Sequence, residues 1–244
     1  MKAVILAGGL GSRLKPFTDK LPKPLLPING EQTVLEIQIQ QLKTHGVKDI
    51  YIATNYLADL IESHMGDGSK YGVNLTFSRE QKPLGTCGPL SLLKSELTEP
   101  FIVMNGDIIT DLNFENLYAE SNQSKSNITV CTKELVRPFN FGNVIVKNNE
   151  IIEIQEKPDM RFLIIAGVYF MKPPILNYIP DNKYYGIDNL IQFLLNKSEP
   201  ISTHLIKEYW IDVGSFEDLD KARKDIRSRN SWQWVVFKFE YTNF

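Results

Sequence analysis

Read from the first residue, the chain alternates short continuous apolar runs with stretches in which apolar residues recur every three or four positions. Lys2–Leu6 (KAVIL) is such a run and stops at glycine, the pattern of a strand buried on both faces. Residues 33–45 carry Val34, Leu35, Ile37, Ile39 and Leu42 and close at Gly46, which predicts a helix with a glycine just past its end. The alternation continues with strand 50–53, helix 58–65, strand 75–77, helix 88–97 and strand 101–104. Strands alternating with helices predict an α/β fold of Rossmann-like type: a mostly parallel mixed sheet flanked by helices.

After residue 127 the texture changes. Strands at 128–131, 144–146, 151–154 and 164–170 are separated by turn-rich pieces such as KNNE, predicting an antiparallel or mixed extension of the same sheet. Helices return at 187–195 and 216–226, the second with Ser215 as N-cap, on either side of a strand at 201–206. No Gly/Ser/Pro-rich tether interrupts the chain, so residues 1–228 are expected to form one domain, with a first part over 1–126 and a second over 127–228. The tail 229–244 alternates Trp232, Trp234, Phe237, Phe239 and Tyr241 with polar residues. It predicts a strand with an aromatic face, covered by its own domain or by a second subunit in a homo-oligomer.

Composition narrows the choices. The 244 residues are 43% hydrophobic, enough for a packed core, and a formal net charge of -2 gives no footprint for nucleic acid or an anionic membrane. Two cysteines, Cys87 and Cys131, offer neither a disulfide framework nor metal-ligand spacing, and the apolar run at the N-terminus is too short for a signal peptide. A cytoplasmic protein is expected.

The candidate chemistry begins at AGGLGSRL, residues 7–14. A strand that stops at Gly8, Gly9 and Gly11 can present backbone N–H groups to a polyphosphate, and Arg13 adds a fork of donors for two phosphate oxygens. The third glycine of GxGxxG is absent, since Leu14 stands there, and so is the GK[ST] of a Walker loop. Pro22 and Pro24 stiffen the backbone around Lys23 and make it a positioned charge. Asp107 follows the apolar run FIVMNG, at the strand end where open α/β sheets bind ligands, and Asp212 stands in YWIDVG. Two such carboxylates suit Mg²⁺, with substrate phosphates and waters completing the octahedron. His45, His64 and His204 lie outside these pieces and read as structural.

AGGLGSRLKPFTDKLPKPLLPI resembles the N-terminal signature of the sugar-phosphate nucleotidylyltransferases, the nucleotide-sugar pyrophosphorylases. PLGTCGPL (83–90), NGD (105–107), EKP (156–158), AGVY (166–169) and WIDVG (210–214) follow in the same order. The resemblance runs from Met1 to Arg223 and is nearest to mannose-1-phosphate guanylyltransferase-like members. It implies transfer of a nucleotidyl group from a nucleoside triphosphate to a sugar 1-phosphate, with these two small molecules as substrates. It also implies Arg13, Lys23 and Asp107 as catalytic residues and Asp107 and Asp212 as metal ligands. The nucleotide would be held by Leu6, Ala7, Gly8, Gly9, Gly11, Ser12 and Arg13, and its base by Glu80, Pro83, Gly85 and Thr86. The sugar phosphate would meet Asn105, Gly142, Glu156, Lys157, Gly167 and Tyr169.

A glutamate can accept from both N1–H and the 2-amino group of guanine, so Glu80 leans the reading toward GTP; the alternative is a salt bridge to Arg79 or Lys82. Ser12 and Cys87 stand where the family usually has threonine and alanine. Thymidylyl or cytidylyl transfer is the runner-up within this reading. A non-catalytic nucleotide-sugar sensor would be expected to lack Arg13, Lys23 or an aspartate. An NAD-dependent dehydrogenase would need an acid where Thr54 and Asn55 stand.

Overall fold

The computed structural model describes residues 1–30 and 32–230. Strand β1 (Lys2–Leu6) leads through single 3-10 turns at Ser12–Leu14, Phe17–Asp19 and Lys23–Leu25 into helix α1 (Val34–Thr44). Thr33 caps α1 reciprocally: its hydroxyl accepts from Glu36 N at 3.2 Å, while the Glu36 carboxylate accepts from Thr33 N at 2.8 Å. Then come β2 (Asp49–Thr54), α2 (Ala58–Met65), β3 (Asn74–Arg79), β4 (Phe101–Asn105), β5 (Ile108–Thr110) and α3 (Phe114–Gln123). The second half carries β6 (Ile128–Pro138), β7 (Asn143–Lys147), β8 (Glu150–Gln155), β9 (Asp159–Met171), α4 (Ile187–Asn196), β10 (Ser202–Leu205), β11 (Trp210–Asp212) and α5 (Phe216–Asn230).

Seven strands form one sheet in the order β10-β6-β9-β4-β1-β2-β3. All run parallel except β9, which is antiparallel to both β4 and β6. Alternation along β1 divides the core. Ala3, Ile5 and Ala7 join the apolar sides of α1, α2 and α3, whereas Val4 faces Leu90, Leu93 and the Leu190–Leu194 stripe of α4. A third cluster sets Leu14, Leu26 and Ile28 against Ile211 and the Leu219, Ala222 and Ile226 stripe of α5. One sheet thus carries strands from both sides of residue 127.

The mixed α/β sheet is as expected, and four particulars differ from the pattern reading. Residues 88–97 make a 3-10 turn at Gly88–Leu93 in place of a longer α-helix. Its N-terminal N–H groups are taken by another segment, since Cys87 N and Gly88 N both donate to Tyr185 O. Helix α3 went unmarked because it buries only Phe114, Leu117 and Ser121. The strands at 144–146 and 151–154 do not extend the main sheet: among the described residues β7 and β8 pair only with each other. β5 and β11, too short to announce themselves, form a separate antiparallel pair. Ser215 does cap α5, accepting from Asp218 N at 3.2 Å. The aromatic strand expected in the tail lies outside the described residues. Among those described, no helix is long and apolar enough to cross a membrane.

Candidate active site

The C-terminal ends of β1 and β4 open toward the same edge of the sheet. In the turn after β4, Gly106 N donates to Leu6 O at 2.9 Å, and a Cβ on Gly106 would stand 2.8 Å from that oxygen. Glycine therefore lets the NGD turn lie flat against the end of β1. The β5–β11 ladder pairs Ile108 with Asp212, and Val213 N donates to Asp107 O at 2.9 Å, so two aspartates far apart in sequence face one another.

Lys23 lies between them, 8% exposed. Its Nζ donates to Asp107 Oδ2 at 2.5 Å and stands 3.7 Å from Asp212 Oδ1. Asp107 Oδ1 and Asp212 Oδ1, the latter in the Lys23 ion pair but beyond hydrogen-bond distance, are buried with no hydrogen-bond partner among the described residues. Burial and the neighbouring Asp107 charge push the Asp212 carboxyl above its usual range, against the pull of Lys23 and Arg13. Among the described residues no third His, Cys, Asp or Glu joins them in a cluster that could hold a metal. Two hard oxygen ligands with orphaned lone pairs fit a Mg²⁺ ion that takes its other ligands from phosphates and water. They would not satisfy a site built wholly from protein.

Around this centre, Leu6, Ala7, Gly9, Gly11, Ser12, Arg13, Lys23, Pro24, Gly106, Asp107 and Gly214 wall one cavity. Gly11 takes φ +62°, and an added Cβ would come within 2.8 Å of the Thr18 side chain. Gly214, which the sequence reading did not single out, leaves room for a cation: a Cβ there would stand 3.0 Å from both terminal nitrogens of Arg13. The glycine of WIDVG is thus the partner of the arginine of GGLGSRL.

A second cavity of about 300 Å³ adjoins the first and shares Leu6, Gly9 and Asp107 with it. Gly8, Leu10, Asn55, Glu80, Pro83, Gly85, Thr86, Pro89, Asn105 and Tyr184 complete its wall. Glu80 is 7% exposed and accepts from Leu84 N at 2.8 Å. Burial outweighs that hydrogen bond and leaves its carboxyl above the usual glutamate value. The alternative salt bridge to Arg79 is not made, because Arg79 pairs with Asp59 and Glu62. Gly8 makes room for Glu80, since an added Cβ would stand 2.6 Å from Glu80 Oε1. Cys87 is fully buried and its thiol is pushed up to about 12, so its departure from alanine is a matter of packing.

The loop at residues 84–88 is clamped by a segment that periodicity leaves blank. Tyr185 N donates to Leu84 O, Tyr185 O accepts from Cys87 N and Gly88 N, and Ile187 N donates to Thr86 Oγ1 at 2.9 Å. Thr86 thereby caps the start of α4 as well as lining the cavity. The clamp delivers Tyr184, 71% exposed, to the cavity wall, with its ring 3.4 Å from where a Cβ on Gly85 would lie.

Of the residues expected to meet the sugar phosphate, the structure brings fewer together. Asn105 lines the second cavity, and Gly167, at φ +69°, lies so close to it that a Cβ would meet Asn105 Nδ2 at 2.7 Å. Tyr169 is 2% exposed, packed in the core cluster with Val4, Leu90 and Leu190 on one face of the sheet, and is not among the residues that wall either cavity. Gly142, Glu156 and Lys157 flank the β7–β8 hairpin, also off both cavity walls, with Glu156 and Lys157 side chains 72% and 67% exposed and 3.9 Å apart. The histidines lie apart from both cavities: His45 edges onto Phe114, His64 meets Glu36 and His204 meets Glu120.

Curated relatives match most of this chain in sequence. The chain is 36% identical over 227 residues to a mannose-1-phosphate guanyltransferase of Yarrowia lipolytica, and 34% identical over 225 residues to the mannose-1-phosphate guanylyltransferase catalytic subunit beta of Dictyostelium discoideum. Each match covers 89% of this chain and 62% of the relative, so the chain spans less than two thirds of their length. Among solved structures it superposes on HddC from Yersinia pseudotuberculosis complexed with GMP-PN, with a TM-score of 0.73 and 28% identity, covering 92% of this chain and 99% of that one. The nucleotidyl transferase family matches residues 2–229, a span that contains both cavities and every residue that lines them, and the chain belongs to that family.

Proposed function

We propose that this protein transfers a nucleotidyl group from a nucleoside triphosphate, GTP by preference, to a sugar 1-phosphate, giving a nucleotide sugar and pyrophosphate. The observation that carries the reading is Lys23, buried between two carboxylates at the mouth of a glycine-walled cavity that also holds Arg13. A phosphate oxygen of the sugar 1-phosphate attacks the α-phosphorus; the bond from that phosphorus to the bridging oxygen breaks, and pyrophosphate leaves with the electron pair. Such a transfer needs alignment and charge neutralisation more than a protein nucleophile.

In this reading the backbone at Gly8, Gly9 and Gly11, with Leu6, Ala7 and Ser12 beside it, cradles the triphosphate. Arg13 neutralises the departing pyrophosphate, and Lys23 turns from Asp107 toward the α-phosphate. Asp107 and Asp212 hold Mg²⁺, which supplies Lewis-acid neutralisation of the phosphate oxygens when bound. Members of this family generally work with a divalent metal, and the two orphaned carboxylate oxygens are this chain's means of holding one.

The base enters the second cavity, with Pro83, Gly85 and Thr86 along its edge. The lean to guanine is supported by the buried carboxylate of Glu80, which retains acceptor capacity beyond its bond to Leu84 N. It is supported also by the guanylyltransferase names of the relatives. The sugar phosphate approaches past Asn105 and Gly167, with the Glu156–Lys157 pair as its expected partner on the hairpin side. The test is pyrophosphate release by the purified chain with Mg²⁺, a panel of sugar 1-phosphates and each of GTP, dTTP, CTP, UTP and ATP. GTP should be the best donor. Release from none of the pairs would end the transferase reading, and a preference for dTTP or CTP would remove the guanine role of Glu80 while leaving transfer intact.

A further inference from the structure

The turns after β1 carry one of a pair of rings that the proposed reaction does not use. Phe17, 57% exposed, meets Phe216, 37% exposed, edge to face, with ring centroids 5.3 Å apart and planes at 66°. Neither ring walls either cavity, and rings left this open gain little from burial. Their placement sets them apart. Phe17 stands four residues after Arg13, and Phe216, the first residue of α5, stands four residues after Asp212.

The backbone that bears Arg13 and Lys23 is a series of single 3-10 turns, which by themselves are weakly held. Its fixtures come from the sides. Thr18 Oγ1 donates to Gly11 O at 2.8 Å, and Tyr56 Oη, beyond β2, donates to Thr18 O at 3.1 Å. Leu14, 1% exposed, packs in one cluster with Val213 and Leu219. Arg13 makes no ion pair with a described residue; its guanidinium rests against Gly214, near enough to Asp212 for its charge to act on that carboxyl. Three contacts therefore join the same two segments in order: Arg13 with Gly214, Leu14 with the cluster of Val213 and Leu219, and Phe17 with Phe216.

A charged donor stabilises a phosphate group only as far as the backbone that bears it is kept from swinging. Buried Leu14 fixes the root of the turn, and the ring pair fixes its exposed end. We propose that Phe17 and Phe216 are positioning residues: their contact holds the turn bearing Arg13 against the segment bearing Asp212, and so keeps the guanidinium where it meets a pyrophosphate group. The inference rests on the transfer reading in taking the first cavity as the phosphate site. The rings touch no substrate and act through Arg13 alone.

The test is calorimetric binding of inorganic pyrophosphate, with Mg²⁺, to the whole chain. Phe17→Ala and Phe216→Ala should each weaken binding about three- to tenfold, the range that one aromatic pair contributes, while far-UV circular dichroism stays unchanged. The double variant should bind no more weakly than the worse single one, and Phe17→Tyr should bind as wild type does. In an Arg13→Ala background, itself weaker, adding Phe17→Ala should cost nothing further, which a merely stabilising contact would not produce. A full additional loss in that background overturns the proposal, and so does wild-type affinity in both folded alanine variants. A wild type that binds no pyrophosphate removes the phosphate site itself, and with it both the transfer reading and this inference. If Phe17→Ala fails to fold, Phe216→Ala decides.

Discussion

Lys23 shows how one residue's role depends on two others. A prolyl-flanked lysine is visible in the sequence as a stiffly carried charge, but its burial between Asp107 and Asp212 is not, because those aspartates arrive by way of β4 and the β5–β11 ladder. Lys23→Ala should lower kcat by about 10²- to 10³-fold, the usual cost of removing one preorganised charge donor, in steady-state assays at saturating substrates. A rate within threefold of wild type would take Lys23 out of the chemistry. Tyr184 is the opposite case, a residue with no motif around it whose position comes wholly from the clamp on Leu84, Cys87 and Gly88. As a ring exposed at the cavity wall it is suited to stack on the base or ribose. Tyr184→Ala should raise the KM for the nucleoside triphosphate about tenfold with kcat little changed, and Tyr184→Phe should behave as wild type. If the Phe variant is as impaired as the Ala variant, the hydroxyl and not the ring is responsible.

At the scale of elements, α1 joins stability to the site. Thr33 and Glu36 form a capping box at its N-terminus, and Thr33→Ala should cost about 1 kcal/mol in urea unfolding. Burial alone would raise the Glu36 carboxyl, yet the Tyr71 hydroxyl and the N–H and hydroxyl of Thr33 outweigh it and hold the group below its usual 4.5. The unfolded chain therefore takes up this proton first as pH falls. The stability Glu36 contributes is whole above about pH 4.5 and is lost as pH drops through its lower native value, so Glu36→Gln should flatten the acid limb of a melting-temperature profile. An acid limb as steep as wild type would argue against this. One turn further along α1, Gln38 is 2% exposed, and its amide donates at 2.8 Å to both Asn105 O and Ile108 O, the carbonyls that bracket Asp107. A glutamine in an amphipathic pattern reads as a polar face, and only the packing of α1 under the NGD turn makes it a brace. Gln38→Leu should lower kcat and raise the Mg²⁺ concentration needed for half-maximal rate, leaving the KM for the triphosphate nearly unchanged.

For the whole molecule, the seven-stranded sheet carries β6, β9 and β10 from one half of the chain beside β4, β1, β2 and β3 from the other, and Trp210 Nε1 ties β11 to Ala166 O of β9 at 2.8 Å. The two halves should therefore unfold together: urea transitions followed by far-UV circular dichroism and by tryptophan fluorescence, at one protein concentration, should coincide. Separated midpoints would mean that residues 1–126 and 127–228 fold independently. The sequence by itself determined whatever is local. Alternating periodicities set the class of fold, glycines at 8, 9 and 11 marked a loop open to phosphate, and Arg13, Lys23, Asp107 and Asp212 stood out because strand ends and prolines advertise themselves within a few residues. Only the tertiary structure decided which side chains share a space. It turned Tyr169 into the core, carried Glu156 and Lys157 out on an arm, set Gly214 against Arg13 and brought Gln38 and Tyr184 to the cavities. Those outcomes follow from ladder registers and close approaches between segments distant in the chain, and such contacts leave no period in the sequence for a pattern to detect.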